Sequence, residues 1–181
     1  MSKEVKLHYF LGRGRAETTR WMLAINQISF NNIPITTPED LIELRGSGKL
    51  PFDQMPLLEI NGMNLSQSSG MIRYLARIGG FYGDNDKEAL YCDMFAGAIT
   101  DFAEASMQAA FQPSNEIAVK MLEERFNKFA PKFELRIKEN GSEFCVGKKI
   151  SFADIILTEA LSSYAEWIPD LLKNTPLLLS I

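Results

Sequence analysis

Tyr9, Arg15, Arg45, Gln54-Met55-Pro56, Gln67-Ser68 and Asp101 form the set in this 181-residue chain best suited to hold and activate a ligand. Each stands where a plain structural role would call for something else. Tyr9 ends an apolar run, Arg15 opens a helical stretch, Gln67-Ser68 open another, and Asp101 interrupts the stripe Leu90, Met94, Gly97. Such placement suits a small, zwitterionic, peptide-like ligand held at several points along its length. A proline entering a good strand serves a turn or a cis bond, or is an ordinary trans proline at the strand's first residue. If Met55–Pro56 is cis, the N–H and C=O of Met55 are exposed, and a ligand peptide could pair with them like an added strand. The helix start at Gln67-Ser68 is a natural carboxylate receptor, or Ser66 or Ser68 merely caps it. Arg45 and Gln54 could close around a second carboxylate and a peptide amide. Singly, Tyr9 also reads as a half-buried strand aromatic, and Arg15 as a solvated charge. Asp101, placed on a helix's buried face, needs a partner, because burying a lone carboxylate is costly. An internal lysine and a ligand amine met at a subunit interface are both open.

Composition removes several other chemistries. Hydrophobic residues at 46% and charged residues at 23% are ordinary for a soluble globular protein. The formal charge of −4 argues against nucleic acid or anionic membrane as the main partner. Cys92 and Cys145 are isolated thiols, and His8 is the only histidine. A metal site, a dithiol redox centre and a Ser-His-Asp triad are therefore not expected. No N-terminal stretch reads as a signal peptide, and no apolar run approaches the ~20 residues of a bilayer span. A cytoplasmic location is expected.

These residues must be positioned by elements that the pattern outlines. Val5–Phe10 reads as a strand. Gly12-Arg13-Gly14 then turns into a helix from near Arg15, with Trp21, Ala24, Ile25 and Ile28 at helical spacing. Ser29–Ile35 reads as a second strand, and Pro38-Glu39-Asp40 as a helix start. Leu57–Ile60 and Met63–Leu65 flank the hairpin signal Asn61-Gly62, and Ser66–Ile78 reads as a helix ended by Gly79-Gly80. The order βαβαββα implies a small four-stranded sheet with helices. After Asp84 everything reads as helix, near Lys87–Ala110, Glu116–Glu139 and from Ser151. Ser151-Phe-Ala-Asp154 reads as a capping box, with Ile150 and Ile155 as its staple. The boundaries expected are residues 1–80 and 84–181. His8 should face away from Tyr9 and is read as structural.

From Val5 to Pro176 the chain resembles a cytosolic glutathione transferase of the tyrosine-dependent type. The segments that carry the resemblance are HYFLGRGRAE, EDLIELR, FDQMPLLEINGMNLSQS, Arg73-Tyr74-Leu75-Ala76 and VGKKISFADI. The stretch from EDL to SQS is most similar to the alpha class, and GRGRAE recurs in the sigma class. The resemblance implies an α/β, thioredoxin-like N-terminal domain, an all-α C-terminal domain and a homodimer. It implies glutathione as co-substrate, an apolar electrophile as second substrate, and no further cofactor. In that frame Tyr9 would stabilise the thiolate of glutathione and Arg15 would assist it. A thiol with a pKa of about 8.5 is only ~3% ionised at pH 7, so lowering it by about two units makes thiolate the majority form. Arg45 and Gln54 would bind the glycyl end, the Met55 backbone the cysteinyl peptide with Pro56 cis, and Gln67 and Ser68 the γ-glutamyl carboxylate. Asp101 would approach the γ-glutamyl amine bound in the partner subunit, and Phe52 would insert between the partner's helices.

An electrophile pocket would form around Phe10, Met107 and Phe111. Family members continue through further helix where this chain ends at Leu178-Leu179-Ser180-Ile181, and the alpha class uses a C-terminal helix as a lid. The final apolar run is therefore expected to have nothing after it to cover. The alternative on the same fold is a non-catalytic carrier of apolar ligands or a structural lens-type protein. The Tyr9 set argues against it. A thiol-disulfide oxidoreductase would need a cysteine near positions 9 to 13, and none is there.

Overall fold

A computed structural model describes residues 4–181, which divide into two compact units at Gly79/Gly80. In the first unit, β1 (Lys6–Phe10), β2 (Asn31–Ile35), β3 (Leu57–Ile60) and β4 (Met63–Ser66) form one sheet in the order β2-β1-β3-β4. β2 runs parallel to β1, while β3 is antiparallel to both of its neighbours. A parallel pair needs a crossover, and α1 (Glu17–Ile25) supplies it. α2 (Pro38–Gly46) and α3 (Ser68–Gly79) complete the unit. Pro34 falls within β2, at the sheet's edge, where a missing N–H costs no ladder bond on the open side.

Period-two alternation sets the core. Leu7 and Leu58 are cross-strand partners and fully buried, as is Leu57 on the other face, where it clusters with Ile35, Leu44 and Leu50. His8, paired across from Leu57, is buried and bonded to Glu59 Oε1 at 2.7 Å, and Lys49 Nζ reaches Glu59 at 2.9 Å. The histidine is a structural residue on the face away from Tyr9. α1 buries Thr19, Met22 and Leu23, not the expected Trp21-Ala24-Ile25 stripe. It starts later than expected, because a 3₁₀ turn at Gly14–Ala16 precedes it. α2 is held by a capping box in which Thr37 and Asp40 bond reciprocally.

The second unit is helical: α4 (Asp86–Ala109), α5 (Asn115–Asn140), α6 (Phe152–Trp167) and the short α7 (Pro176–Ser180), with a 3₁₀ turn at Leu171–Asn174. Its centre is aromatic. Phe102 is fully buried, stacks on Tyr164 at 4.2 Å and meets Phe133 edge-on at 5.8 Å. The Tyr164 hydroxyl donates to the Phe102 carbonyl at 2.8 Å, which satisfies a polar atom deep in the core. Asp154 closes the start of α6: its Oδ2 accepts from the Ser151 N–H and hydroxyl, and its Oδ1 accepts from Cys145 N–H at 2.6 Å.

Two expectations are corrected here. The stripe of α4 bearing Asp101 is not its core face: Leu90 and Met94 are 59% and 58% exposed, and Asp101 is exposed too. The core face is instead Cys92, Phe95, Ala96, Ile99, Phe102, Ala105 and Ala109, one helical step round. The buried-face argument for pairing Asp101 thus fails within the single chain. The final apolar run is also partly used, since Leu178 is buried and its N–H donates to Glu134 Oε1 at 2.7 Å.

Candidate functional site

The ends of four elements of the first unit converge on one cleft of about 460 Å³, in the size range of small-molecule sites. Tyr9, Phe10, Arg15, Leu41, Arg45, Asp53, Gln54, Met55, Pro56, Gln67 and Ser68 line it. Eight of the nine residues of the opening set meet here; the ninth, Asp101, belongs to the other unit. Convergence at element ends has a physical cause. Strand ends and helix termini leave backbone groups without internal partners, which suits a place where they gather to a polar ligand.

Tyr9 is the penultimate residue of β1 and half-buried. Its hydroxyl accepts the backbone N–H of Arg15 at 3.0 Å, across a turn in which Gly14 takes φ +43°. A phenol has one proton to give and lone pairs to accept with. With the Arg15 N–H on its oxygen, the Tyr9 proton is available to a ligand. The turn is fastened from behind by Arg20, whose Nη1 donates to the Gly12 carbonyl at 3.1 Å and whose Nε donates to Asn32 of β2 at 2.9 Å. Glu17 Oε2 holds the same guanidinium at 2.6 Å.

At the other end, Met55–Pro56 is a cis peptide bond, as the alternative reading of that proline required. Gln67 forms the corner between β4 and α3 with φ +67°, and its Nε2 donates to Gln54 Oε1 at 2.8 Å. β4 runs on through Ser66, so α3 begins at Ser68 and not at Ser66. Ser68 is therefore in the first turn, at the positive end of the helix dipole, which favours an anion. Arg45 stands in the last turn of α2. Arg15 and Arg45 against Asp53 leave the lining with a surplus positive charge.

Sequence reasoning missed Leu41 and Asp53. Leu41 is one more apolar residue on a helix, and nothing in its spacing marks it. Asp53 has a signal only in its backbone, a left-handed φ of +52° in the loop before Gln54. Phe10, expected in an electrophile pocket, lines this same cleft at 48% exposure. Met107 and Phe111 lie in the second unit, half-buried and 86% exposed respectively. Phe52 is 65% exposed in the loop before β3. Among the described residues, no group of three or more His, Cys, Asp or Glu could hold a metal ion. Cys92 and Cys145 are buried, and burial pushes both thiols up, Cys92 to about 11. Among the described residues, no helix is long and apolar enough to cross a membrane.

The comparisons with known proteins agree with this fold. The glutathione S-transferase N-terminal domain model matches residues 5–77, and the C-terminal domain model matches residues 100–181. The chain is 40% identical over 181 residues to glutathione S-transferase A2 of Bos taurus, covering 98% of this chain and 81% of that protein. It is 38% identical to glutathione S-transferase A1 of Homo sapiens, covering 98% and 82%. Among solved structures, the glutathione S-transferase from Ascaris lumbricoides aligns with a TM-score of 0.83 at 31% identity, covering 97% of this chain and 88% of that one. Monomeric Na-GST-3, a glutathione S-transferase from Necator americanus, aligns at 0.86 with 26% identity, covering 98% and 88%. A thioredoxin-like sheet unit, a helical unit and relatives spanning nearly the full chain place this protein in the glutathione S-transferase family.

Proposed function

We propose that the cleft of the first unit binds glutathione, favours its thiolate and delivers that sulfur to an apolar electrophile. The observation that carries the reading is the Tyr9 hydroxyl, held on its oxygen by the Arg15 N–H and lining a cleft with surplus positive charge. Glutathione carries two carboxylates and one amine, so its net charge matches the lining. In the proposed pose the sulfur lies at Tyr9 and Arg15, and the cysteinyl peptide pairs with the Met55 backbone beside Pro56. Arg45 and Gln54 hold the glycyl end, and Gln67 and Ser68 hold the γ-glutamyl carboxylate.

The thiol proton leaves to water as the Tyr9 O–H donates to the resulting anion. The thiolate then attacks the electrophilic carbon, the C–S bond forms, and the leaving group departs with its electron pair. A hydrogen bond to a charged acceptor is worth about 1.5–3 kcal/mol, which spans the roughly 2.7 kcal/mol of a two-unit lowering. The helix N-terminus beside Arg15 acts in the same direction.

Phe10, which lines the cleft, is proposed to meet the apolar electrophile. Asp101 is proposed to reach the γ-glutamyl amine in a partner subunit of a homodimer, with Phe52 as the inserted aromatic. The exposure of Phe52, Leu90, Met94 and Asp101 in the single chain supports that assembly. A detoxifying role in the cytoplasm fits the same reading.

The test is conjugation of glutathione to a chloronitrobenzene, followed beside calorimetric titration with glutathione and sedimentation of the protein. Turnover with saturable glutathione binding supports the proposal. A folded protein that neither binds glutathione nor conjugates it sinks the proposal. A monomer under sedimentation removes the roles given to Asp101 and Phe52.

A further inference from the structure

We infer that Gly14 is a positioning residue: the bare Cα at this turn lets the Tyr9 phenol lie against the Gly14–Arg15 peptide, which aims the hydroxyl proton at the ligand's sulfur. The inference rests on the proposed reading of the cleft. A Cβ built on Gly14 would lie 2.6 Å from Tyr9 Oη, 3.0 Å from Cε1 and 3.2 Å from Cζ. The first distance is shorter than real Cβ contacts, and the neighbour is a rigid ring that cannot rotate its far end away.

The turn cannot easily retreat from an added methyl. Arg20 ties the carbonyl of Gly12 to Asn32 of β2, and Glu17 holds Arg20 in turn. Ala16, two residues on, is fully buried. The phenol is therefore the part that must move. As it moves it loses the Arg15 N–H at 3.0 Å, the bond that occupies its acceptor side. A donor on the phenolic oxygen polarises the O–H bond and strengthens what the hydroxyl itself donates. One small residue thereby controls both where the proton points and how strongly it is given.

The left-handed φ of +43° at Gly14 is a separate demand, also best met by glycine. Gly141 isolates it: φ is +71° at the end of α5, and a Cβ there meets nothing within 4 Å. Gly141→Ala thus carries backbone strain in the helical unit without a ring to displace.

The experiment compares wild type, Gly14→Ala, Gly141→Ala, Tyr9→Phe and the Tyr9→Phe/Gly14→Ala pair. Three quantities are read: the ultraviolet absorbance of bound glutathione thiolate against pH, the pH profile of kcat/KM, and the affinity for S-methylglutathione, which has no thiol. Gly14→Ala is expected to move the acid limb and the thiolate titration up by about one pH unit, with kcat/KM about tenfold lower on that limb. S-methylglutathione affinity should stay within about threefold, Gly141→Ala should match wild type, and adding Gly14→Ala to Tyr9→Phe should cost less than about threefold.

A folded Gly14→Ala with the wild-type titration overturns the inference alone. So does an equal loss in both Tyr9 backgrounds. A wild type with no thiolate absorbance overturns the proposed function, and this inference with it. Should Gly14→Ala fail to fold, the pair lacks the 2.6 Å obstacle and is expected to regain the fold; a pair that also fails to fold overturns the inference.

Discussion

Replacing Tyr9 by phenylalanine removes one atom from the cleft and leaves the ring. The edge-on contact with Phe10 at 5.5 Å survives, and the Arg15 N–H that loses its acceptor is solvent-exposed, so water takes over at little cost to stability. What disappears is the hydrogen bond proposed to reach the thiolate. If that bond lowers the thiol from about 8.5 to about 6.5, the ionised fraction at pH 7 falls from roughly three quarters to ~3% in the variant. Turnover at pH 7 should then drop about 25-fold. Near pH 9.5 both thiols are more than about 90% ionised, so the deficit should shrink towards unity. The assay is kcat/KM for a chloronitrobenzene from pH 6 to pH 9.5, with thermal denaturation of both proteins alongside. A constant deficit across that range would mean that Tyr9 does not act on the thiol's ionisation. A variant as fast as wild type at pH 7 would remove Tyr9 from the chemistry altogether.

Asp154→Ala strands three donors, two of them N–H groups, in a place only 3% exposed. It should destabilise the protein by roughly 2–4 kcal/mol in urea unfolding, and a loss under 1 kcal/mol would mean that the start of α6 is held by something else. Glu59 feels desolvation, which raises its pKa, but hydrogen bonds from Lys49 and His8 outweigh it and hold the carboxyl below its ordinary 4.5. The stability it contributes is present above that ordinary value and lost as pH falls through the lower folded one. Glu59→Gln should therefore lose less melting temperature than wild type between about pH 5 and pH 3, and parallel curves would discount the cluster. Cys92 and Cys145 are buried with raised pKa values, so neither should react with a maleimide at pH 7.5 until urea unfolds the chain. Fast labelling of the folded protein would contradict the packing of the helical unit.

Where a local rule was sufficient, the sequence was legible. Asn61-Gly62 stands at the β3–β4 turn, Pro38 and Asp40 at the start of α2, and Ser151 with Asp154 at the start of α6. These are signals with a mechanism confined to four or five residues. The errors arose where two faces of a helix both offered apolar residues. On α4 the stripe Leu90-Met94 and the stripe Cys92-Phe95-Ile99 are each regular, and only tertiary packing decides which is buried. Likewise Ser66 suits both a strand end and a helix cap, and its pairing with Leu57 resolved the choice in favour of β4. Of the cleft, the charged and amide residues were legible because they sit oddly in their local patterns. Leu41, Asp53 and Gly14 were not, since a leucine, a loop aspartate and a turn glycine are each ordinary until the phenol and the cis bond are seen beside them.

The division of labour inside the cleft follows from which groups are fixed and which are free. Gln67 is held by Gln54 and by its own left-handed corner, and Gln54 is held by Gln67 in return. These groups meet a ligand without reorganisation, and a preorganised site converts more of its contacts into affinity. In the proposed pose they bind the parts of glutathione that do not react. Tyr9 is equally fixed, through its strand and the Arg15 N–H, but its free proton faces charge that exists only once the thiol has ionised. Interactions that grow as charge develops accelerate a reaction, while those unchanged along it set only occupancy. On the proposed pose, substitutions at Arg45, Gln54 and Gln67 should therefore act on KM, and those at Tyr9 and the glycine behind it on the step at sulfur.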